Sequence, residues 1–312
     1  MAWFCLAALS AAPPEIVSVR RIWDRATHNA FTDLIRFQDR WYCTFREAEG
    51  HVGGDGRLRL LVSPDGETWE SAALVSADGI DLRDPKLSIT PDGRLMLLAG
   101  GSVYQGRVLL GRRPRVAFSS DGRRWSTPRP ILAEGDWLWR VTWRQGRAYG
   151  ISYRTDPRRG ILYSSPDGIE YQKVTDLDLP GAAEATLRFL PDGEMIALVR
   201  REGDTRRGSI GVSRAPYQQW EWREIPHRLG GPNFLLLPDG RFWAGSRDLT
   251  GEARTALARM DRQSYEPVLT LPSGGDTSYP GLVWHDNLLW MSYYSSHQGK
   301  AAIYLAKIRL EP

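Results

Sequence analysis

Apolar residues along this chain fall in short runs that are separated by turn sequences. The runs Ala185–Leu190 and Met195–Val199 flank the turn PDG at positions 191–193. Proline presets the backbone of such a turn and glycine accepts a positive φ, so the pattern predicts a β-hairpin. Glu184 precedes this hairpin and Arg200 follows it. Antiparallel pairing would place both residues at the end away from the turn.

Similar hairpins recur along the whole chain. Their turns lie at Asp39, Asp92, Gln145, Asp192, Asp239 and Asp286. The successive intervals are 53, 53, 47, 47 and 47 residues. A period near fifty residues with apolar strands in each repeat is typical of a β-propeller with one four-stranded blade per repeat. The sequence therefore predicts an all-β fold, a six-bladed propeller that forms a single domain over residues 15–312.

The two ends of the chain are predicted to meet in one blade. The sixth hairpin is followed by a single further strand, Ala301–Leu310, so the last blade lacks a fourth strand. Glu15–Trp23 reads as a strand with no partner of its own. We expect it to complete the last blade, because ring closure removes the unpaired edges of an open array.

Residues 1–14 consist of an apolar stretch that ends in small residues, followed by two prolines. They resemble the remnant of a secretory signal peptide, which predicts a secreted or periplasmic protein. The alternative is a simple apolar N-terminus. The segment is too short to span a membrane.

Composition and charge argue against nucleic-acid binding and against a metal or other cofactor. Only four of the 41 basic residues are lysines, and basic and acidic residues are interspersed within a net charge of +4. This pattern does not predict a nucleic-acid surface. The two cysteines and five histidines show no metal-ligand spacing, so we expect neither a metal nor another cofactor. The sequence leaves the oligomeric state open.

Polar residues collect at the strand ends opposite the hairpin turns. The first strands of the hairpins begin at Asp33, Asp84, Arg140, Glu184, Asn233 and Tyr279, and the second strands end at Arg46, Gly100, Arg154, Arg200, Arg247 and Tyr293. All these positions must face one side of the disc. We therefore predict a charged depression at the propeller axis, where ligand sites are favoured. His51 lies in a loop on the same side.

A second motif has the form Ser-x-Asp-Gly-x-x-aromatic and keeps step with the hairpins. It occurs at residues 63–69, 119–125 and 165–171, with a degenerate copy near Asp261. The aspartate can close such a turn onto its own backbone amides. The motif resembles the Asp-box, or BNR repeat, of the sialidase (neuraminidase) superfamily, whose members are six-bladed propellers.

The resemblance implies a glycoside hydrolase that removes a terminal anionic sugar from a glycan with retention of configuration. Members of that superfamily hold the sugar carboxylate with three arginines and use a tyrosine nucleophile that a glutamate activates. On this resemblance Tyr279 matches the nucleophile and Glu184 its glutamate. Arg200 and Arg247 match the second and third arginines.

The chain departs from the superfamily in its first blade. Phe31-Thr32-Asp33 stands where relatives carry Arg-Ile-Pro, and Arg46 is the predicted substitute for the missing arginine. The catalytic acid is predicted to be Asp33, Asp84 or a residue of the loop Glu47–Asp55. Arg140, Asn233 and His51 are predicted to contribute to substrate binding.

Other interpretations remain open at this point. Asp33, Asp84 and Glu184 could form a carboxylate-based glycosidase site for a sugar other than sialic acid. Asp33 and Asp84 could instead cap strand ends, and Glu184 with Arg200 could be a structural ion pair. A propeller that binds glycans or proteins without catalysis is the third alternative, because a fold does not fix a function.

Overall fold

The computed structural model of the chain describes residues 13–54 and 56–311. Within these ranges the chain forms 24 strands, arranged as six four-stranded antiparallel sheets. The predicted all-β, six-bladed propeller is confirmed. Most of the predicted signal-peptide remnant, residues 1–12, lies outside the described residues. The described part of the chain contains no helix that could cross a membrane.

In blades one to three, chain order matches the order of strands in the sheet. The first blade contains β2 (His28–Phe37), β3 (Arg40–Ala48), β4 (Arg57–Ser63) and β5 (Glu70–Val75). The second contains β6 (Asp81–Ile89), β7 (Leu95–Gln105), β8 (Val108–Ser119) and β9 (Arg129–Pro130). The third contains β10 (Trp137–Arg144), β11 (Arg147–Thr155), β12 (Arg158–Ser165) and β13 (Gln172–Asp176).

Blades four and five repeat this order, and the last blade differs. The fourth blade contains β14 (Ala182–Phe189), β15 (Met195–Arg201), β16 (Ser209–Ser213) and β17 (Glu221–Glu224). The fifth contains β18 (Asn233–Leu236), β19 (Phe242–Asp248), β20 (Arg254–Met260) and β21 (Tyr265–Thr270). The sixth contains β22 (Thr277–His285), β23 (Leu288–Ser295), β24 (Ala302–Arg309) and, from the start of the chain, β1 (Glu15–Trp23).

Strand β1 forms the outer strand of the sixth blade. It pairs antiparallel with β24, from Glu15 opposite Arg309 to Trp23 opposite Ile303. The first strands of neighbouring blades contact one another around the ring, which makes them the inner strands. The ring is therefore closed by a hydrogen-bonded join between the two ends of the described chain.

The Asp-Gly turns on the outer strands owe their shape to one carboxylate each. Oδ1 of Asp65 accepts hydrogen bonds from the amides of Glu67 and Thr68 at 2.8 and 3.0 Å. Asp121 and Asp167 make the same pair of bonds, and so does Asp261 in the degenerate copy. These repeated turns stabilise the blades at the rim and lie away from the axis.

Five of the six inner strands carry a β-bulge at the same height. In each, two residues of the inner strand oppose one residue of the second strand. The bulged pairs are Phe31–Thr32, Asp84–Pro85, Trp139–Arg140, Ala183–Glu184 and Tyr279–Pro280. Phe31, Asp84 and Tyr279 adopt left-handed φ values of 65°, 51° and 53°. Bulges re-aim side chains, and strained backbone of this kind concentrates at functional sites.

Candidate active site

Tyr279 and Glu184 come together at the axis from two different blades. The Tyr279 hydroxyl donates to Glu184 Oε1 over 2.6 Å. Arg200 Nη1 lies 3.0 Å from the same carboxylate oxygen and 3.4 Å from the phenol oxygen. The predicted nucleophile, base and arginine therefore form one hydrogen-bonded group.

The environment shifts the pKa values of Tyr279 and Glu184 in opposite directions. Burial raises the pKa of Tyr279 well above its usual range, and the nearby Glu184 carboxylate adds to the shift. Burial also opposes ionisation of Glu184, but the Arg200 charge and the hydrogen bonds from Tyr279 and Gly231 together lower its pKa. At neutral pH the pair is thus a neutral phenol beside a carboxylate, which is the state needed for base-assisted attack.

Gly231 supports the pair from the fifth blade. Its amide donates to Glu184 Oε2 over 2.7 Å, and its φ is 62°. A Cβ at this position would lie 2.5 Å from Cγ of Tyr279. Only glycine allows this close approach together with the left-handed backbone.

Aromatic and cationic groups surround the Tyr279 ring. The Phe31 and Trp139 ring centroids lie 5.0 and 5.4 Å from that of Tyr279. The Arg247 guanidinium carbon lies 5.5 Å from the Tyr279 ring centroid, and the Lys86 Nζ atom lies 5.9 Å from it. Burial and the charge of Arg140 lower the pKa of Lys86 to about 8. The Tyr279 ring therefore packs against aromatic side chains, and positively charged side chains lie near it.

Asp84 is a buried carboxylate with a free oxygen among the described residues. Its residue is 9% exposed, and its buried Oδ1 has no hydrogen-bond partner among the described residues. Burial raises the pKa of Asp84, and the positive charges of Arg83 and Lys86 offset this only in part. A raised pKa widens the pH range over which a carboxyl group keeps its proton, and a general acid must hold a proton to donate it.

Arg83 is a site residue that the sequence did not single out. Its guanidinium carbon lies 5.1 Å from the centroid of the Phe31 ring. Phe31 belongs to the first blade, where the first arginine is missing. The side chains of Arg83, Arg200 and Arg247 are 12%, 20% and 19% exposed. These three arginines therefore lie near Tyr279 with partly exposed side chains, and Arg200 also donates hydrogen bonds to Glu202.

The predicted catalytic role of Asp33 and the predicted binding role of Arg140 do not fit their positions. Arg140 donates to both carboxylate oxygens of Asp33 over 2.9 and 3.0 Å, and the Leu87 amide donates to Oδ2 over 2.8 Å. Both side chains are almost completely buried. They form a closed structural ion pair between the first and third blades.

Two further predicted binding residues are also occupied by the fold. Arg46 is fully buried, donates to Asp81 over 2.7 Å and binds two loop carbonyls. Asn233 accepts a hydrogen bond from Arg188 and donates to the Pro280 carbonyl. Arg46 therefore does not replace the missing arginine, and Asn233 joins neighbouring blades.

The loop Glu47–Asp55 contains two described acids, of which Glu47 is buried and Glu49 is exposed. Glu47 is buried and accepts hydrogen bonds from Trp23 and Arg59, and Glu49 accepts one from Thr27. Asp55 lies outside the described residues. Asp33 is bound to Arg140 and Glu49 is exposed, so Asp84 is the buried candidate for the general acid that keeps a free carboxylate oxygen among the described residues.

His51 belongs to a cluster at the edge of the site. Its Nδ1 atom lies 2.7 Å from Asp276 Oδ2, and His28 Nε2 lies 2.9 Å from the same oxygen. The Tyr294 hydroxyl donates to Asp276 Oδ1 over 2.7 Å. Burial opposes ionisation of Asp276, but these three hydrogen bonds hold its pKa well below the usual range. Sequence spacing could not find this cluster, because its members come from opposite ends of the chain.

Comparison with known proteins bears on the fold. No protein-family model matches the chain, and no curated protein matches its sequence. A solved protein of unknown function from Dyadobacter fermentans superposes with a TM-score of 0.86 at 20% identity, over 96% of this chain and 100% of that one.

Two glycosidases superpose at lower identity. The α-L-arabinofuranosidase of Fusarium graminearum gives a TM-score of 0.74 at 14% identity, over 95% of this chain and 98% of that one. The sialidase of Trypanosoma rangeli gives 0.72 at 13% identity, over 90% of this chain and 55% of that one, so this chain spans about half of that sialidase. The protein therefore has the six-bladed propeller fold that is shared by sialidases and an arabinofuranosidase.

Proposed function

We propose that this protein is a retaining glycosidase that releases a terminal anionic sugar from a glycan, with Tyr279 as nucleophile. The contact of 2.6 Å between the Tyr279 hydroxyl and Glu184 carries the proposal, together with Arg200 beside both groups. Tyr294 also contacts a carboxylate and an arginine through its hydroxyl, but it is fully buried, whereas Tyr279 keeps 8% of its surface exposed and lies in the bulge of the inner strand. This arrangement matches the activated-nucleophile pattern of a nucleophile held by its own base.

The charge at the site favours an anionic sugar. Arg83, Arg200 and Arg247 lie around Tyr279 with partly exposed side chains, and a substrate carboxylate would compete with Glu202 for Arg200. Planar guanidinium forks suit bidentate contact with a carboxylate. If the carboxylate is attached at the anomeric carbon, a neutral phenol approaches that carbon without the repulsion that an anionic nucleophile would meet.

Two balanced steps follow from these positions. In the first, Tyr279 Oη bonds to the anomeric carbon, Glu184 takes the phenol proton, and Asp84 donates its proton to the departing glycosidic oxygen. In the second, Asp84 accepts a proton from the attacking water while the bond from the sugar to Tyr279 breaks. Glu184 then returns its proton to the phenolate, and each group regains its starting state.

A second candidate keeps the glycosidase class but uses carboxylates alone. Phe31 occupies the position of the missing arginine and Arg46 is bound to Asp81, which weakens a requirement for sialic acid itself. Asp84 and Glu184 would then be the acid and the second carboxylate. The similarity to an arabinofuranosidase fold is compatible with this alternative.

A substrate screen followed by one substitution separates the candidates. Purified protein is assayed on aryl glycosides that include a sialoside, uronides and an arabinofuranoside. On the substrate that the wild type hydrolyses, Tyr279→Phe keeps the ring and removes the nucleophilic oxygen. We expect turnover to fall by several orders of magnitude, as for losses of nucleophiles in other enzymes.

Tyr304→Phe is the matched control, because its hydroxyl binds only Gln298 among the described residues and lies in the outer part of the sixth blade. It should keep wild-type turnover. A Tyr279→Phe protein with near wild-type turnover would reject the tyrosine mechanism and favour the carboxylate candidate. A wild type that binds glycans yet hydrolyses none of the substrates would return the chain to the non-catalytic class.

A further inference from the structure

Two histidines and one aspartate meet beside the proposed active site. His28 comes from the start of β2, His51 from the loop after β3, and Asp276 from the residue before β22. Their ligand atoms, Nε2, Nδ1 and a carboxylate oxygen, all lie within 4.8 Å of one another. His51 is about half exposed and Asp276 about a third, so one side of the cluster faces solvent.

We propose that His28, His51 and Asp276 form a binding site for a divalent transition-metal ion, with zinc as the best fit. The ligands are His28 Nε2, His51 Nδ1 and Asp276 Oδ2. Three protein ligands and an open fourth position is the pattern of zinc sites that keep a water molecule. The inference rests on this cluster alone and does not depend on the proposed glycosidase activity.

The donor set selects the class of metal. Imidazole nitrogens suit zinc, copper, iron and nickel, whereas calcium and magnesium prefer oxygen ligands throughout. Zinc-to-ligand bonds near 2.0 Å at tetrahedral angles separate the ligand atoms by about 3.3 Å. The present separations from Asp276 Oδ2 are 2.7 and 2.9 Å. An opening of about 0.5 Å between Asp276 and each histidine would thus admit the ion. The half-exposed His51 ring can supply one opening, and the partly exposed Asp276 carboxylate must supply the other.

The contacts around the three ligands support metal binding at Asp276 but not at His28. Asp276 is oriented by the Tyr294 hydroxyl on its other oxygen, which is the kind of outer contact that fixes a metal ligand. The buried Nδ1 of His28 has no hydrogen-bond partner among the described residues. One missing outer partner typically lowers metal affinity by about 10–100-fold. We therefore expect an affinity of about micromolar for zinc, weaker than that of a structural zinc site.

The site is connected to the proposed nucleophile by a short chain of contacts. Asp276 binds Tyr294, the Tyr294 hydroxyl accepts a hydrogen bond from Arg247 at 3.2 Å, and Arg247 lies over the Tyr279 ring. His51 also packs edge-on against Phe31. A bound ion would add positive charge at the edge of the arginine group.

Metal binding is tested directly, without a glycoside. EDTA-treated protein is dialysed free of chelator and titrated with Co²⁺, whose visible absorption reports tetrahedral or five-coordinate ligation, and then with Zn²⁺ by calorimetry. We expect one equivalent of each ion to bind and Zn²⁺ to displace the Co²⁺ spectrum. Zn²⁺ should also raise the Tm of the wild type, and EDTA should reverse that shift.

Substitutions assign the ligands. His51→Ala and Asp276→Asn should each weaken Zn²⁺ binding at least tenfold and remove the Co²⁺ spectrum. His297→Ala is the matched control, because His297 lies on the same side of the disc but binds Ser295, and it should bind like the wild type. His51 is exposed, so its replacement should leave the fold intact. The inference is overturned if the wild type gives no Co²⁺ spectrum, or if His51→Ala and Asp276→Asn bind as the wild type does.

Discussion

Two acid–arginine pairs lie near the propeller axis, and they differ in their exposure to solvent and in the other groups that they contact. In the Asp33–Arg140 pair both carboxylate oxygens accept from the guanidinium and one also accepts from the Leu87 amide. In the Glu184–Arg200 pair a single guanidinium nitrogen contacts the carboxylate, at 3.0 Å, and the same oxygen accepts a hydrogen bond from the Tyr279 hydroxyl. Arg200 keeps a fifth of its side-chain surface exposed, whereas Arg140 is buried.

The difference separates a structural pair from a reactive one. The closed pair is out of reach of a ligand, because Arg140 is only 6% exposed even though its buried Nε has no hydrogen-bond partner among the described residues. The open pair holds a neutral phenol against a carboxylate. Its Arg200 is partly exposed and also donates to Glu202, so an anion would compete with Glu202 for the guanidinium. Buried ion pairs of either kind are expensive to break, because the remaining charge is left without compensation.

The sharpest way to test this comparison is to remove the base of the open pair. Glu184→Gln keeps the shape of the side chain but cannot accept the phenol proton. We expect turnover on a hydrolysed glycoside to fall by about 10²–10⁴-fold, the usual size of general-base losses. Glu194→Gln is the matched control, because Glu194 is also buried and bound to two arginines, Arg214 and Arg262, at the hairpin-turn side.

Turnover per folded molecule should be unchanged in Glu194→Gln. Equal losses in the two glutamate variants would mean that Glu184 acts through stability and not as a base. Melting temperatures measured on the same preparations distinguish the two effects.

Breaking the closed pair should change stability more than turnover. Asp33→Asn leaves the buried Arg140 charge without its partner, and such changes typically cost about 3–5 kcal/mol of unfolding free energy. We expect a clear loss of Tm, measured by calorimetry, with turnover per folded molecule close to that of the wild type. The double variant Asp33→Asn/Arg140→Met removes the stranded charge and should recover part of the lost Tm. A stable but inactive Asp33→Asn protein would restore Asp33 as a catalytic candidate.

The fold was predictable because its signal is local and repeated. Each hairpin turn, such as PDG at 191–193, is recognised from a few neighbouring residues, and the repeat of about fifty residues turns a weak local signal into an architecture. The pairing of β1 with β24 follows from counting strands. None of these inferences requires the position of an individual side chain.

The site was only partly predictable, because β-bulges decide which residue of each inner strand reaches the axis. Asp84, Glu184 and Tyr279 lie within bulges, whereas Asp33 lies just past the bulge of β2 and is buried. Arg140 also lies within a bulge, but its guanidinium pairs with Asp33. A one-residue change of register reverses the face that a side chain occupies. Sequence patterns locate the strand end but leave that register open, so Asp33 and Asp84 looked alike.

The smallest predicted change in stability concerns Asp84, and the same substitution should raise stability but lower activity. Burial raises the pKa of Asp84 in the folded state, so the fold binds a proton there that the unfolded chain has released. Stability from this group is present at acid pH and is lost as pH rises through the folded pKa. Asp84→Asn mimics the protonated form and cannot ionise. Its Tm should match that of the wild type at low pH and exceed it by a few degrees at pH 7.

The activity of the same variant should move in the other direction. If Asp84 is the general acid, kcat/KM of the wild type falls as pH rises through its raised pKa, and Asp84→Asn lacks that alkaline limb. The loss should be severe for a glycoside with a poor leaving group and small for an activated aryl glycoside, whose oxygen departs without protonation. If Asp84→Asn has a higher Tm and loses activity only on glycosides with poor leaving groups, Asp84 is the general acid and its burial lowers the stability of the protein. If the variant keeps the wild-type alkaline limb and the wild-type pH dependence of Tm, the proton donor is another residue.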